Sequence, residues 1–261
     1  MKNQILKGEK NIKINKIDYE SKIGEENKNS YGSIMKIIKF NNQRDITVQF
    51  DNGYIVQKTR YDQFCRGGIS NPYDKSIFGL GYIGEGKYKP SINGKHTKQY
   101  IRWHKMMQRC YGNENRPTYK DVFVCDEWHC FQNFAKWYDE NYYEIDGENI
   151  ELDKDILFKG NKIYSPETCV FVPQCINLLF RHADRGECPI GVEKDKRKNI
   201  IKHYRVVFFQ FVKYYLTPEE AFESYKEHKE MYIKEVADKY KKYIPEKLYN
   251  AMYNYQVEIT D

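Results

Sequence analysis

With 261 residues, 16% aromatic content and 24 tyrosines, the chain has enough bulky apolar surface for two or three small folded domains, which excludes a disordered polymer. Its net charge of +6 is modest and unevenly spread, +6 over residues 95–120, −9 over 121–155, +5 over 190–216 and −3 over 217–261, an alternation that suits contact with phosphate through chosen surfaces rather than indiscriminate coating of nucleic acid. No signal peptide or membrane-crossing apolar run is read, and an odd seven cysteines without a Cys-x-x-Cys pair point to reduced thiols rather than a treble-clef zinc site.

Residues 1–22 are polar and lysine-rich and read as an arm or loose first strand. Over 23–70 short strands alternate with turns: 32–38, 45–50 and 54–58, with Asp51-Asn52-Gly53 as a hairpin turn. Ile46, Val48 and Phe50 alternate and therefore face one core. The unit resembles a small SH3-like barrel, an architecture that serves as an adaptor for peptides, nucleic acid or neighbouring domains. Residues 71–97 are rich in Gly and Pro and read as a linker or ordered loop. The string Gly79, Gly81, Gly84 fits Gly-x-Gly-x-x-Gly, yet no buried strand precedes it and no helix opens after it, so a dinucleotide site is rejected.

The third segment, 98–186, begins with helical spacing of Tyr100, Trp103, Met106, Met107, Cys110 and Tyr111, with Arg102, Lys105 and Arg109 on other faces. These cations are free to reach phosphates or to pair with the acidic run that follows. A second helix is expected over 127–138, with Trp128, Phe131, Phe134 and Trp137 on one stripe as core.

The stretch Leu152-Asp153-Lys154-Asp155-Ile156, then Gly160 to Cys169, then Ile176-Asn177, resembles the core of an HNH nuclease with its chemistry replaced. The spaced residues Tyr100, Trp103, Met107, Arg109-Cys110-Tyr111, Val124-Cys125, Glu127-Trp128, Phe131 and Phe134 extend that likeness to phage-borne proteins of the HNH and AP2 type, related to homing endonucleases. The resemblance covers roughly residues 79–240. It implies a general-base His after Asp153, a structural Asn in the next turn, and a metal-binding His or Asn nine residues later. Those places hold Lys154, Thr168 and Asn177. A lysine ammonium cannot take a proton from water at neutral pH, so the base is missing. Of six histidines, His182 alone lies close enough in sequence to be considered as a replacement. Asp153 and Asn177 are the ligands the resemblance leaves for a Mg²⁺ ion, and strand alternation is expected to put Glu151, Asp153 and Asp155 on one face.

The last segment, 187–261, resembles an AP2 domain: strands beginning at Pro189-Ile190-Gly191-Val192, at 203–209 and at 211–216, then a helix whose start is specified by Thr217, Pro218 and Glu220. By that resemblance the exposed face of a three-stranded sheet enters the major groove. Lys194, Arg197, Lys202, Arg205 and Lys213 are then the DNA contacts, with Arg205 as the base reader.

The fold class expected is α+β: an N-terminal SH3-like β-barrel, a central helical segment with an HNH-like ββα core, and a C-terminal AP2-like three-stranded sheet plus helix. The leading functional expectation is a phage-encoded protein that binds double-stranded DNA in the host cytoplasm, requires no cofactor, and has no membrane partner. The alternatives are a slow Mg-dependent nickase or endonuclease, and an inhibitor of a host nucleic-acid defence complex.

Overall fold

A computed structural model describes residues 20–112, 119–181, 187–197 and 201–259. The chain is mixed α+β and divides into two compact units, Met1–Glu85 and Gly86–Asp261.

In the first unit β1 (Glu26–Lys28), β2 (Ile34–Asn42), β3 (Asp45–Phe50) and β4 (Ile55–Thr59) form an antiparallel sheet in chain order. Ile46, Val48 and Phe50 point inward as their alternation requires, and join Met35, Ile37, Phe40, Phe64 and Ile69 in one core. A register shift between Ile37 and Lys39 lets β2 bury Phe40 instead of a lysine. The short helix α1 (Tyr61–Cys65) closes one end, with Asn27 Nδ2 donating to the carbonyls of Phe64 and Cys65 at 2.8 and 3.1 Å. Among the described residues β1 pairs only with β2 and β4 only with β3, so the sheet is open where a closed barrel was expected. The Gly/Pro-rich segment after residue 70 is fastened to this unit. The buried Asp74 carboxylate accepts from Asn29 Nδ2 at 2.6 Å, Ser33 Oγ at 2.5 Å and the Asn71 amide at 3.2 Å.

The second unit starts with the hairpin β5 (Ser91–Ile92) and β6 (Lys95–His96) and the helix α2 (Lys98–Tyr111), whose cap Thr97 Oγ1 accepts from the Tyr100 amide. After β7 (Phe123–Val124), the expected single helix is two, α3 (Asp126–His129) and α4 (Phe131–Asn141), broken at Cys130 in extended backbone. The break has a tertiary cause. The Trp128 carbonyl, which a continuous helix would use internally, accepts the indole N–H of the fully buried Trp103 at 2.7 Å. Trp128, Phe131, Phe134 and Trp137 nonetheless form the aromatic core the stripe demands, with Trp128 and Trp137 centroids 4.7 Å apart.

The hairpin β8 (Ile150–Asp153) and β10 (Val170–Pro173) follows, with the short β9 (Ile163–Tyr164) pairing in parallel with β7, then α5 (Gln174–Asn177). The C-terminal sheet is antiparallel, in the order β11 (Val192–Lys194), β12 (Tyr204–Phe208), β13 (Phe211–Tyr215), and precedes the long helix α6 (Pro218–Tyr240) and α7 (Glu246–Tyr253). Thr217 caps α6 as its sequence specifies, accepting from the Glu220 amide at 3.1 Å, while Glu220 reaches back to the Leu216 amide at 3.3 Å. One half of α6 packs Ala221, Phe222 and Tyr225 on the sheet residues Val192 and Val206. The other packs Ile233 and Ala237 with Val170, Val172, Ile176 and α7. A single helix thereby joins the two motifs expected on either side of residue 187. Among the described residues no helix is long and apolar enough to cross a membrane.

Candidate functional site

The described residues expected to carry chemistry lie in the β8–β10–α5 motif, and those expected to meet DNA lie on and beside the C-terminal sheet.

On β8 the side chains of Glu151 and Asp153 share the half-exposed side, while Ile150 and Leu152 are buried. Asp155 lies beyond the strand and exposed, so the expected three-carboxylate face holds only two acids. Asp153 Oδ1 accepts the amides of Asp155 and Ile156 at 2.8 and 2.7 Å, an Asx turn that ends the strand. Burial raises the Asp153 carboxyl above the usual range, against the pull of those two amides. Asn177 Nδ2 donates to Glu151 Oε2 at 2.8 Å and ties α5 to β8. The two expected metal ligands are therefore bonded to different neighbours. Among the described residues no group of three or more metal-ligating side chains converges.

Lys154 is buried. Its Nζ donates to both oxygens of Asp155 at 2.6 and 2.7 Å and to the Asn161 carbonyl at 2.8 Å, and it lies 5.9 Å from the Tyr164 ring centroid. Asn161 returns the contact by donating to the Lys154 carbonyl at 2.9 Å. Thr168 Oγ1 donates to the Ile163 carbonyl at 2.8 Å and accepts from the Ser165 amide at 3.2 Å. Each described position marked for chemistry is thus occupied in holding the hairpin and its turns. His182 lies outside the described residues.

Of the α2 cations, Lys98 and Arg102 are held by groups of the chain that follows, while Lys105 is exposed. Lys98 pairs with Glu144 at 2.6 Å, and Arg102 donates to the Ile150 carbonyl. Burial lowers the Arg109 pKa, but Tyr164, Tyr119 and Glu151 more than reverse it. Burial also pushes the neighbouring Cys110 thiol up to about 11. All seven cysteines are free thiols.

The C-terminal sheet divides the five expected DNA contacts. Register aligns Val192 with Val206 and Lys213, and Lys194 with Tyr204 and Tyr215; these rows face α6. Lys194 and Lys213 therefore leave the sheet on the helix side, not on the face they were expected to line, because strand side chains alternate. The open face carries the row Glu193, Arg205, Tyr214 and the row Val207, Val212. Arg205 is held by Glu193, with Nε at 2.8 Å and Nη2 at 2.7 Å from Oε2. Arg197, past the end of β11, grips Asp195 through Nε at 2.9 Å and Nη2 at 2.6 Å and donates to Tyr214 Oη at 3.2 Å. That bond to Arg197 holds the Asp195 carboxyl down to about 2. Lys202 is exposed in the connection before β12. The four charges fixed on the open face thus cancel.

The neutralising acids Glu193 and Asp195, and Tyr214 between the arginines, were not singled out from sequence. Their alternation with Lys194 and Lys196 is visible there, but assigning a partner needs the β11–β12 register. Compared with known family models, curated proteins and solved structures, the chain matches none.

Proposed function

We propose that the chain is a phage-encoded, double-stranded DNA-binding protein derived from an endonuclease of the HNH and AP2 type, without efficient cleavage. One observation supports the loss of cleavage: Asp153, Lys154, Thr168 and Asn177 are all engaged in internal hydrogen bonds that brace the hairpin, and none is a base beside a metal ligand. Binding then falls to the sheet packed against α6. A three-stranded antiparallel sheet backed by one helix, with two arginines on its open face, has the form and donors suited to a major groove. No metal is needed for this activity, which takes place wherever the phage or host duplex lies in the cell.

The test is an electrophoretic shift series over salt with wild-type protein, Arg205→Ala and Lys202→Ala, alongside incubation with supercoiled plasmid and Mg²⁺ or Mn²⁺. Loss of preference among duplex sequences in the arginine variant, uniform weakening in the lysine variant and intact plasmid are expected. Plasmid nicking abolished by Asp153→Ala overturns the loss of cleavage. Tight binding to a host defence complex, with no duplex shifted at low salt, overturns DNA binding.

A further inference from the structure

Resting on duplex binding by the open face of the C-terminal sheet, we infer that Val207 and Val212 form a reading surface for the 5-methyl group of thymine beside Arg205. The two valines are cross-strand neighbours in β12 and β13, 44% and 53% exposed, and the adjacent row on the same face is Arg205 and Tyr214. A single exposed valine is ordinary. A facing pair on the side of the sheet away from its helix, flanked by a guanidinium, is suited to a partner that is apolar next to a hydrogen-bond acceptor.

The chemistry narrows that partner. Valine side chains can neither donate to a phosphate nor accept from an amino group, so the Val207–Val212 row adds nothing to backbone attraction. Among base edges in the major groove, thymine presents a protruding methyl group, while guanine O6 and N7 accept from arginine. Arg205 and Val207 are two residues apart on one strand, a separation of about 7 Å. That corresponds to roughly two base steps along one DNA strand. The fixed charges on this face cancel, with Glu193 against Arg205 and Asp195 against Arg197. A neutral face gains little from phosphates and makes shape and methyl contact a larger share of what distinguishes one duplex from another.

Duplexes enriched by the full-length wild-type protein from a randomised pool are resynthesised with uracil in place of thymine, which removes only the methyl groups, and the affinities are compared. Uracil duplexes are expected to bind about fourfold more weakly for each contacted methyl. The Val207→Ser/Val212→Ser protein, which removes every valine methyl from this row, is expected to bind thymine and uracil forms alike. Equal wild-type affinities, an enriched pool with no shared thymine, or discrimination retained by the double variant overturns the inference while leaving duplex binding intact. Enrichment of no duplex overturns both. The uracil comparison uses unaltered protein, so it does not depend on the variant folding.

Discussion

Glu193 and Arg205 face each other across β11 and β12, with the arginine Nη2 2.7 Å from the carboxylate Oε2, so the guanidinium best placed to read a base already has a partner. DNA must displace this pair, and both side chains are well exposed, so the displacement costs little. Glu193→Gln is expected to strengthen duplex binding roughly two- to fivefold at low salt. If the freed arginine settles on a phosphate, the slope of log K against log salt steepens by about 0.9. Filter binding at four or five salt concentrations measures both. Unchanged affinity and slope would remove Arg205 from the interface.

Lys154 holds a turn. Replacing it with Met leaves the Asn161 carbonyl without its lysine donor, whereas the half-exposed Asp155 turns to water. The expected loss is about 1–3 kcal/mol in urea unfolding. Lys154→His restores the residue type a nuclease would carry, yet the side chain here is buried with Ile150 and Leu152 rather than on the side of Glu151 and Asp153. Plasmid incubated with that variant and Mg²⁺ should remain supercoiled. Nicking by it would mean that the change of one residue is all that separates this site from cleavage.

Asp153 gives a pH signature of definite sign. Burial raises its folded carboxyl pKa above that of the unfolded chain, so between the two values the folded state binds more protons and stability falls as pH rises. Asp153→Asn keeps an oxygen for the Asp155 and Ile156 amides but has no charge to bury. It should flatten that fall and equal or exceed the wild type in stability at pH 7. Asp153→Ala, which loses the turn acceptor, should cost about 1–2 kcal/mol. Thermal melts from pH 3 to 7 separate the three proteins; an asparagine variant that parallels the wild type across the whole range would rule out this origin of the slope.

The elements legible in the sequence are those whose cause is local. Ile46, Val48 and Phe50 specify β3 by period two, and Thr217, Pro218 and Glu220 specify the start of α6 by capping chemistry. The break at Cys130 was hidden because its cause is Trp103, 25 residues away from the carbonyl it captures. The sidedness of Lys194 and Lys213 was hidden for a related reason: composition counts their charges, but only the register with Val206 and Tyr204 tells which side of the sheet they leave. At β8 the spacing from Thr168 to Asn177 was readable, while the use of Asn177 to hold Glu151 was not, since an amide can serve a metal or a carboxylate equally well.

Gly191 tests whether the sheet and α6 depend on close backbone approach. Its φ is +73°, and a Cβ there would overlap the Tyr225 ring, with Tyr225 itself buried against Val192 and Val206. An alanine at 191 faces strain from a left-handed backbone and from a ring that cannot retreat into its own core. The expected loss is about 1–3 kcal/mol. Gly160→Ala, at φ +73° with nothing within 4 Å of the new Cβ, carries the conformational strain alone and serves as the comparison. If the two alanine variants lose equal stability in urea titration, the Tyr225 contact contributes nothing; a larger loss at 191 assigns the difference to the packing of α6 on the sheet that presents Arg205, Val207 and Val212.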